Sequence, residues 1–130
     1  MNIEDQVCGL ENAKRLKELG LKWESLFSYG FNPLLTQVRV YTTCDGVDFL
    51  APAYTVAELF EMLPKESVIH RTILNTGWHF ECGCMEYNYV EGDKLYVRKM
   101  EALTMADSAA LMLIWLIENN HVSVKELNEG

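Results

Sequence analysis

The sequence predicts an α+β domain: an antiparallel sheet of about five strands with helices packed on a face, in the order α-β-β-α-β-β-β-α. Three observations carry this expectation. Apolar residues at helical spacing, with start and stop signals, mark three helices. Alternating apolar and polar residues mark the strands, and turn dipeptides join consecutive strands closely enough to require antiparallel pairing. At 130 residues the chain reads as one domain over 1–130. Roughly two-thirds of the surface of an unfolded chain this long is buried on folding, without disulfide staples.

The first helix covers about residues 10–19. Leu10, Ala13, Leu16 and Leu19 recur on one face, and Gly20 supplies the stop. In LKWESLFSYGFNP, Phe27, Tyr29 and Phe31 alternate before Asn32-Pro33, which suggests an extended segment with its rings on one side. QVRVYTT and VDFL then form a predicted hairpin around Asp45-Gly46. In YTVAELFEMLP, Thr55 and Glu58 read as a capping box, Tyr54 as a staple onto Leu59, and Pro64 as the stop. On that local reading Thr55→Ala costs about 1 kcal/mol and Glu58→Ala somewhat less.

SVIHRTIL, WHFECGCMEYNYV and KLYVRKM read as three further strands, with turns at Asn75-Thr76-Gly77 and Gly92-Asp93. A two-residue turn at Gly92-Asp93 places Glu91 opposite Lys94 and Tyr89 opposite Tyr96, both favourable cross-strand pairs. The last helix runs from about Met105 to Glu118, capped by Thr104 with Asp107 three residues on.

Composition bounds the function. A net charge of −8 disfavours non-specific binding to nucleic acid or to an anionic membrane surface. The N-terminus lacks the basic and apolar regions of a signal peptide, and the most apolar run, AALMLIWLI, falls far short of the roughly 20 residues that span a bilayer. The expected location is therefore cytoplasmic, with four reduced cysteines.

WHFECGCMEYNY, residues 78–89, is the stretch nearest to a chemical motif. On a strand, Trp78, Phe80, Cys82 and Cys84 share one face, and His79, Glu81 and Met85 the other. The cysteines thus lie with the aromatic, core-facing set, where free cysteine packs as a small hydrophobe. Structural zinc sites use C-x2-4-C pairs on turns, and C-x-C on a strand has the wrong spacing. Cys8 and Cys44 are isolated, so no metal is expected. His79 is on the wrong face to activate Cys82 or Cys84. G-x-S-x-G, H-E-x-x-H, Walker and G-x-G-x-x-G motifs are absent, so no catalytic or cofactor-binding residue is assigned.

Lys14, Arg15, Lys17 and Lys22 form the most basic patch, but Glu11, Glu18 and Glu24 interleave with them. Asn32-Pro33 also comes too early for a recognition helix. Phe27, Tyr29 and Phe31 lack the basic groove of a base-stacking platform and read better as core or lid aromatics.

The blocks AKRLKELGLKWESLFSYG, PAYTVAELFEMLP and ADSAALMLIWLIENN, which together span about residues 13–120, resemble a group of short phage, prophage and mobile-element proteins of bacteria. The resemblance implies an intracellular accessory protein, and no catalytic residues are assigned in that group. The favoured reading is a non-enzymatic protein-interaction module meeting a protein partner. The alternative is a small enzyme or ligand-binding protein with a pocket between the sheet and the Trp23–Phe31 segment.

The final helix supplies the interface candidates. Thr104, Asp107, Ser108 and Glu118 mark a solvent side, while Met105, Ala109, Ala110, Met112, Leu113, Leu116 and Ile117 face the sheet. Leu111 and Trp115 stack four residues apart on the polar side. Their cover is either this chain's own 23–31 or VSVKEL segment, or a second subunit in a homodimer.

Overall fold

The computed structural model describes residues 3–63, 66–69, 72–75, 84–91 and 94–129. A short helix α1 (Ile3–Gln6) leads into Val7, which forms an antiparallel bridge with Thr55. Helix α2 (Leu10–Glu18) follows, with Gly9 as its N-cap. It buries Ala13 and Leu16, and the chain leaves it through Gly20 at φ +97°, a conformation that favours glycine.

The aromatic segment is a strand, β1 (Ser28–Asn32), and it is the centre of a three-stranded antiparallel sheet. β2 (Gln37–Tyr41) and β3 (Asp48–Pro52) flank it, giving the order β2-β1-β3. The expected direct pairing of QVRVYTT with VDFL is therefore replaced by two pairings to β1. Gly46 does turn, at φ +77°. The connection over 42–47 is long enough to cross the end of β1, however, and Tyr29 then gains a partner on each side, Val40 and Ala51. Tyr29 and Ala51 are both buried.

Helix α3 (Val56–Met62) starts at the expected box. Thr55 Oγ1 accepts from Glu58 N at 3.2 Å, and Thr55 N donates to Glu58 Oε1 at 2.8 Å. SVIHRTIL is not one strand but two, β4 (Glu66–Ile69) and β5 (Thr72–Asn75), paired antiparallel. His70-Arg71 carries no glycine, proline or asparagine, so the sequence holds no turn signal there. β6 (Cys84–Glu91) and β7 (Lys94–Glu101) pair in the expected register, with Glu91 opposite Lys94 and Tyr89 opposite Tyr96. The fold is thus mixed helix and sheet, but the described strands form three separate sheets rather than one sheet of five.

Helix α4 (Met105–Glu118) spans the expected residues and packs against α1, α2, α3, β6 and β7. Being covered from several directions, it is buried nearly all round, which its two-sided reading did not anticipate. Ser108, assigned to solvent, is fully buried, and its hydroxyl is satisfied by donating to the Thr104 carbonyl at 3.2 Å. Met105, assigned to the core, is 42% exposed. The core cluster draws on residues from Val7 to Ile117, with Tyr54, Leu16, Leu59, Met112, Leu113 and Leu116 among its fully buried side chains. A last helix, α5 (Val124–Glu129), closes the described chain. Among the described residues no helix is long and apolar enough to cross a membrane.

Candidate functional site

Half of the sulfur-bearing stretch, residues 78–83, lies outside the described residues. Cys82, His79 and Glu81 lie there, as does His70, and so do the face assignments built on them. Cys84 opens β6. Of the remaining cysteines, both free thiols, Cys8 is fully buried and Cys44 half-buried. Burial pushes the Cys8 thiol up to about 12, which keeps it protonated at neutral pH and unfit as a nucleophile. Among the described residues no three His, Cys, Asp or Glu side chains are grouped to hold a metal ion.

The most site-like feature is a cavity of about 540 Å³ between the C-terminal end of α2, the segment 20–28 and β3. Of the aromatic residues in the Trp23–Phe31 segment, Trp23 lines it, and residues 28–32 of that segment are a strand of the sheet. Leu21, Trp23, Phe49 and Pro52 give it apolar walls, Ser25 and Ser28 line it as well, and Lys17, Lys22 and Glu24 bring charge. Lys17 Nζ lies 5.1 Å from the Phe49 ring centroid and donates to the Leu50 carbonyl at 3.0 Å.

Segment 20–28 belongs to no helix or strand until β1, so distant groups fix its shape. The indole Nε1 of Trp23 donates to the Leu127 carbonyl at 2.5 Å. Lys22 N donates to Asn128 Oδ1 at 2.8 Å, and Asn128 Nδ2 donates to the Gly20 carbonyl at 3.0 Å. Tyr54 donates its hydroxyl to the Trp23 carbonyl at 2.7 Å. Glu58 adds a further hold: its Oε1 lies 2.8 Å from Ser25 Oγ, and its Oε2 accepts from Leu26 N at 3.2 Å. The pocket wall is therefore pinned by α5 from one side and by the α3 cap from the other.

Sequence reasoning missed α5 and the reach of Glu58. A local signal for α5 exists in Ser123-x-x-Glu126, and Glu126 N does donate to Ser123 Oγ at 3.4 Å. No local signal marks Glu58 as the anchor of a loop some thirty residues upstream. The basic patch is partly consumed within the chain: Arg15 pairs with Glu18 at 3.5 Å and Glu118 at 3.3 Å.

Leu111 and Trp115 are both half-buried on α4. The Trp115 ring stacks on the His121 ring at 5.1 Å between centroids and 20° between planes, and the Arg98 guanidinium sits 5.2 Å from its centroid. Both of these groups come from this chain. A different apolar feature stands out at the β1–β2 hairpin tip, where Leu34 is 93% exposed and Leu35 52%. Asn32 Oδ1 holds that tip by accepting from Leu34 N at 3.0 Å and Leu35 N at 3.3 Å.

No family model, curated protein or solved structure matches this chain.

Proposed function

We propose that this chain is a non-enzymatic binding protein whose small-molecule ligand occupies the cavity beside Trp23. The observation that carries the reading is the cavity itself: about 540 Å³, with two aromatic residues, two lysines and two serines in its lining. That volume and that mix of apolar wall and few polar groups match small-molecule sites in general. The lining residues include neither histidine nor cysteine, and the Ser25 hydroxyl is tied to the Ala53 carbonyl at 2.9 Å and to Glu58 Oε1 at 2.8 Å, so binding fits better than catalysis. A fragment screen followed by amide chemical shifts tests it. Hits should cluster on Gly20–Ser25, Ser28 and Phe49, and Phe49→Ala should abolish them. Hits that map elsewhere, or that survive Phe49→Ala unchanged, would sink the reading.

The leucine tip supports a second reading, contact with a protein partner through the Leu34–Leu35 hairpin. A homodimer through Leu111 and Trp115 is the related proposal, and light scattering separates the cases. A wild-type dimer made monomeric and still folded by Trp115→Glu supports it; a monomeric wild type unfolded by Trp115→Glu assigns that ring to the chain's own packing. The intracellular, phage-type accessory role is proposed on the three sequence blocks alone.

A further inference from the structure

We infer that the ligand of the Trp23 cavity is a small planar aromatic monocarboxylate; this rests on the binding reading above and names its chemistry. Three features of the lining select the class. Trp23 and Phe49 present ring surface, which a planar π-system matches better than an aliphatic one. The Trp23 indole is held by its own N–H bond to Leu127, so its ring orientation is set before any ligand arrives. Phe49 is 49% exposed, so a ligand face laid against it would remove apolar surface from water.

The charge is the second selector. In a chain of net charge −8, the cavity lining carries Lys17 and Lys22 against a single glutamate, Glu24. Among the described residues neither lysine has an acidic partner. Lys17 has committed one donor to Leu50, which leaves two of its three for an anion. The balance is one net positive charge, enough to favour a single carboxylate.

The third selector limits the charge. The cavity sits at the C-terminal end of α2, the negative pole of the helix, which opposes any anion and a doubly charged phosphate more than a single carboxylate. Phosphate sites instead use helix N-termini or nests of backbone N–H groups, commonly with arginine forks. The lining contains no arginine, and Lys22 N, a backbone donor nearby, is already spent on Asn128. A nucleotide would bring two or more charges to a site that balances one.

The test uses the full-length protein and three soluble probes of similar shape: indole-3-acetate, its neutral isostere indole-3-acetamide, and the cation tryptamine, with adenosine monophosphate as the phosphate arm. Amide shifts of Gly20–Ser25, Ser28 and Phe49 report occupancy. Indole-3-acetate should bind tightest, by about threefold over the acetamide, and lose that preference in Lys22→Met or Lys17→Met, both exposed positions where the fold is retained. Added salt should weaken the acetate and leave the acetamide unchanged. Equal affinity for acetate and acetamide, or tighter binding of the nucleotide, overturns the carboxylate assignment while leaving the pocket in place. Absence of shifts at those residues with every probe overturns the assignment and the binding reading together.

Discussion

The starts of α3 and α4 carry the same local message, threonine followed three residues later by an acid, yet the two acids do different work. In α3 the longer glutamate closes the box: Glu58 Oε1 reaches back to Thr55 N at 2.8 Å. It then extends outward to Ser25 and Leu26 and fixes the pocket wall. In α4, Thr104 Oγ1 accepts from Asp107 N at 3.1 Å, but the aspartate carboxylate turns to another element. Asp107 Oδ1 takes Gly9 N at 2.5 Å and Asn12 Nδ2 at 3.0 Å, and so caps the start of α2. Gly9 has no side chain that could cap its own helix, and a Cβ there would stand 3.2 Å from that carboxylate oxygen. A side chain one methylene shorter is thus spent on a neighbour rather than on its own N-cap.

The largest effect that tests this contrast is Asp107→Ala. It strips an acceptor from the part-buried Gly9 N–H and from Asn12, and should cost about 2–3 kcal/mol in chemical denaturation. Asp107→Asn keeps an acceptor oxygen and should cost clearly less. If both variants lose the same small amount, the cross-cap does not hold the two helices together.

Next comes a reversal of the local expectation for α3. Thr55→Ala removes one cap acceptor and should cost about 1 kcal/mol. Glu58→Ala removes the acceptor of Thr55 N and Leu26 N and one partner of Ser25, and should cost about 2 kcal/mol. Amide exchange should also quicken across Trp23–Phe27 in Glu58→Ala but not in Thr55→Ala. A Thr55→Ala variant less stable than Glu58→Ala would return the box to a purely local role.

The same contrast shows what the sequence could carry. Helix ranges, the α3 box and the β6–β7 register were readable because each is marked by neighbours within a few residues: Thr55 with Glu58, Glu91 with Lys94. The order β2-β1-β3 was not, because Asp45-Gly46 signals a turn without saying which strand receives the returning chain. Nor was the shape of segment 20–28, because the groups that pin it, Leu127, Asn128 and Glu58, are long-range partners without local signatures.

Cys8 lies between the two caps and reports on both. Its thiol is buried, and burial is the leading cause that lifts its titration from 9.0 to about 12; the bond to the Tyr54 backbone opposes this, and the Asp107 charge adds to it ahead of that of Glu58. Tyr29 is pushed up to about 12 and Tyr54 is also raised, burial leading in each case. These groups hold protons more tightly folded than unfolded, so their contribution is intact below about pH 9 and is lost as pH climbs through the folded values. For Cys8 alone the loss should reach about 1 kcal/mol by about pH 9.5. Following the Cys8 Cβ resonance against pH sharpens the comparison of the caps. Asp107→Asn should lower the Cys8 titration more than Glu58→Gln does, since its carboxylate is the stronger of the two repulsions. An equal or opposite ordering would place the thiol nearer to the α3 cap than to the α4 cap in electrostatic terms, and would remove Cys8 as a reporter of the Asp107–Gly9 contact.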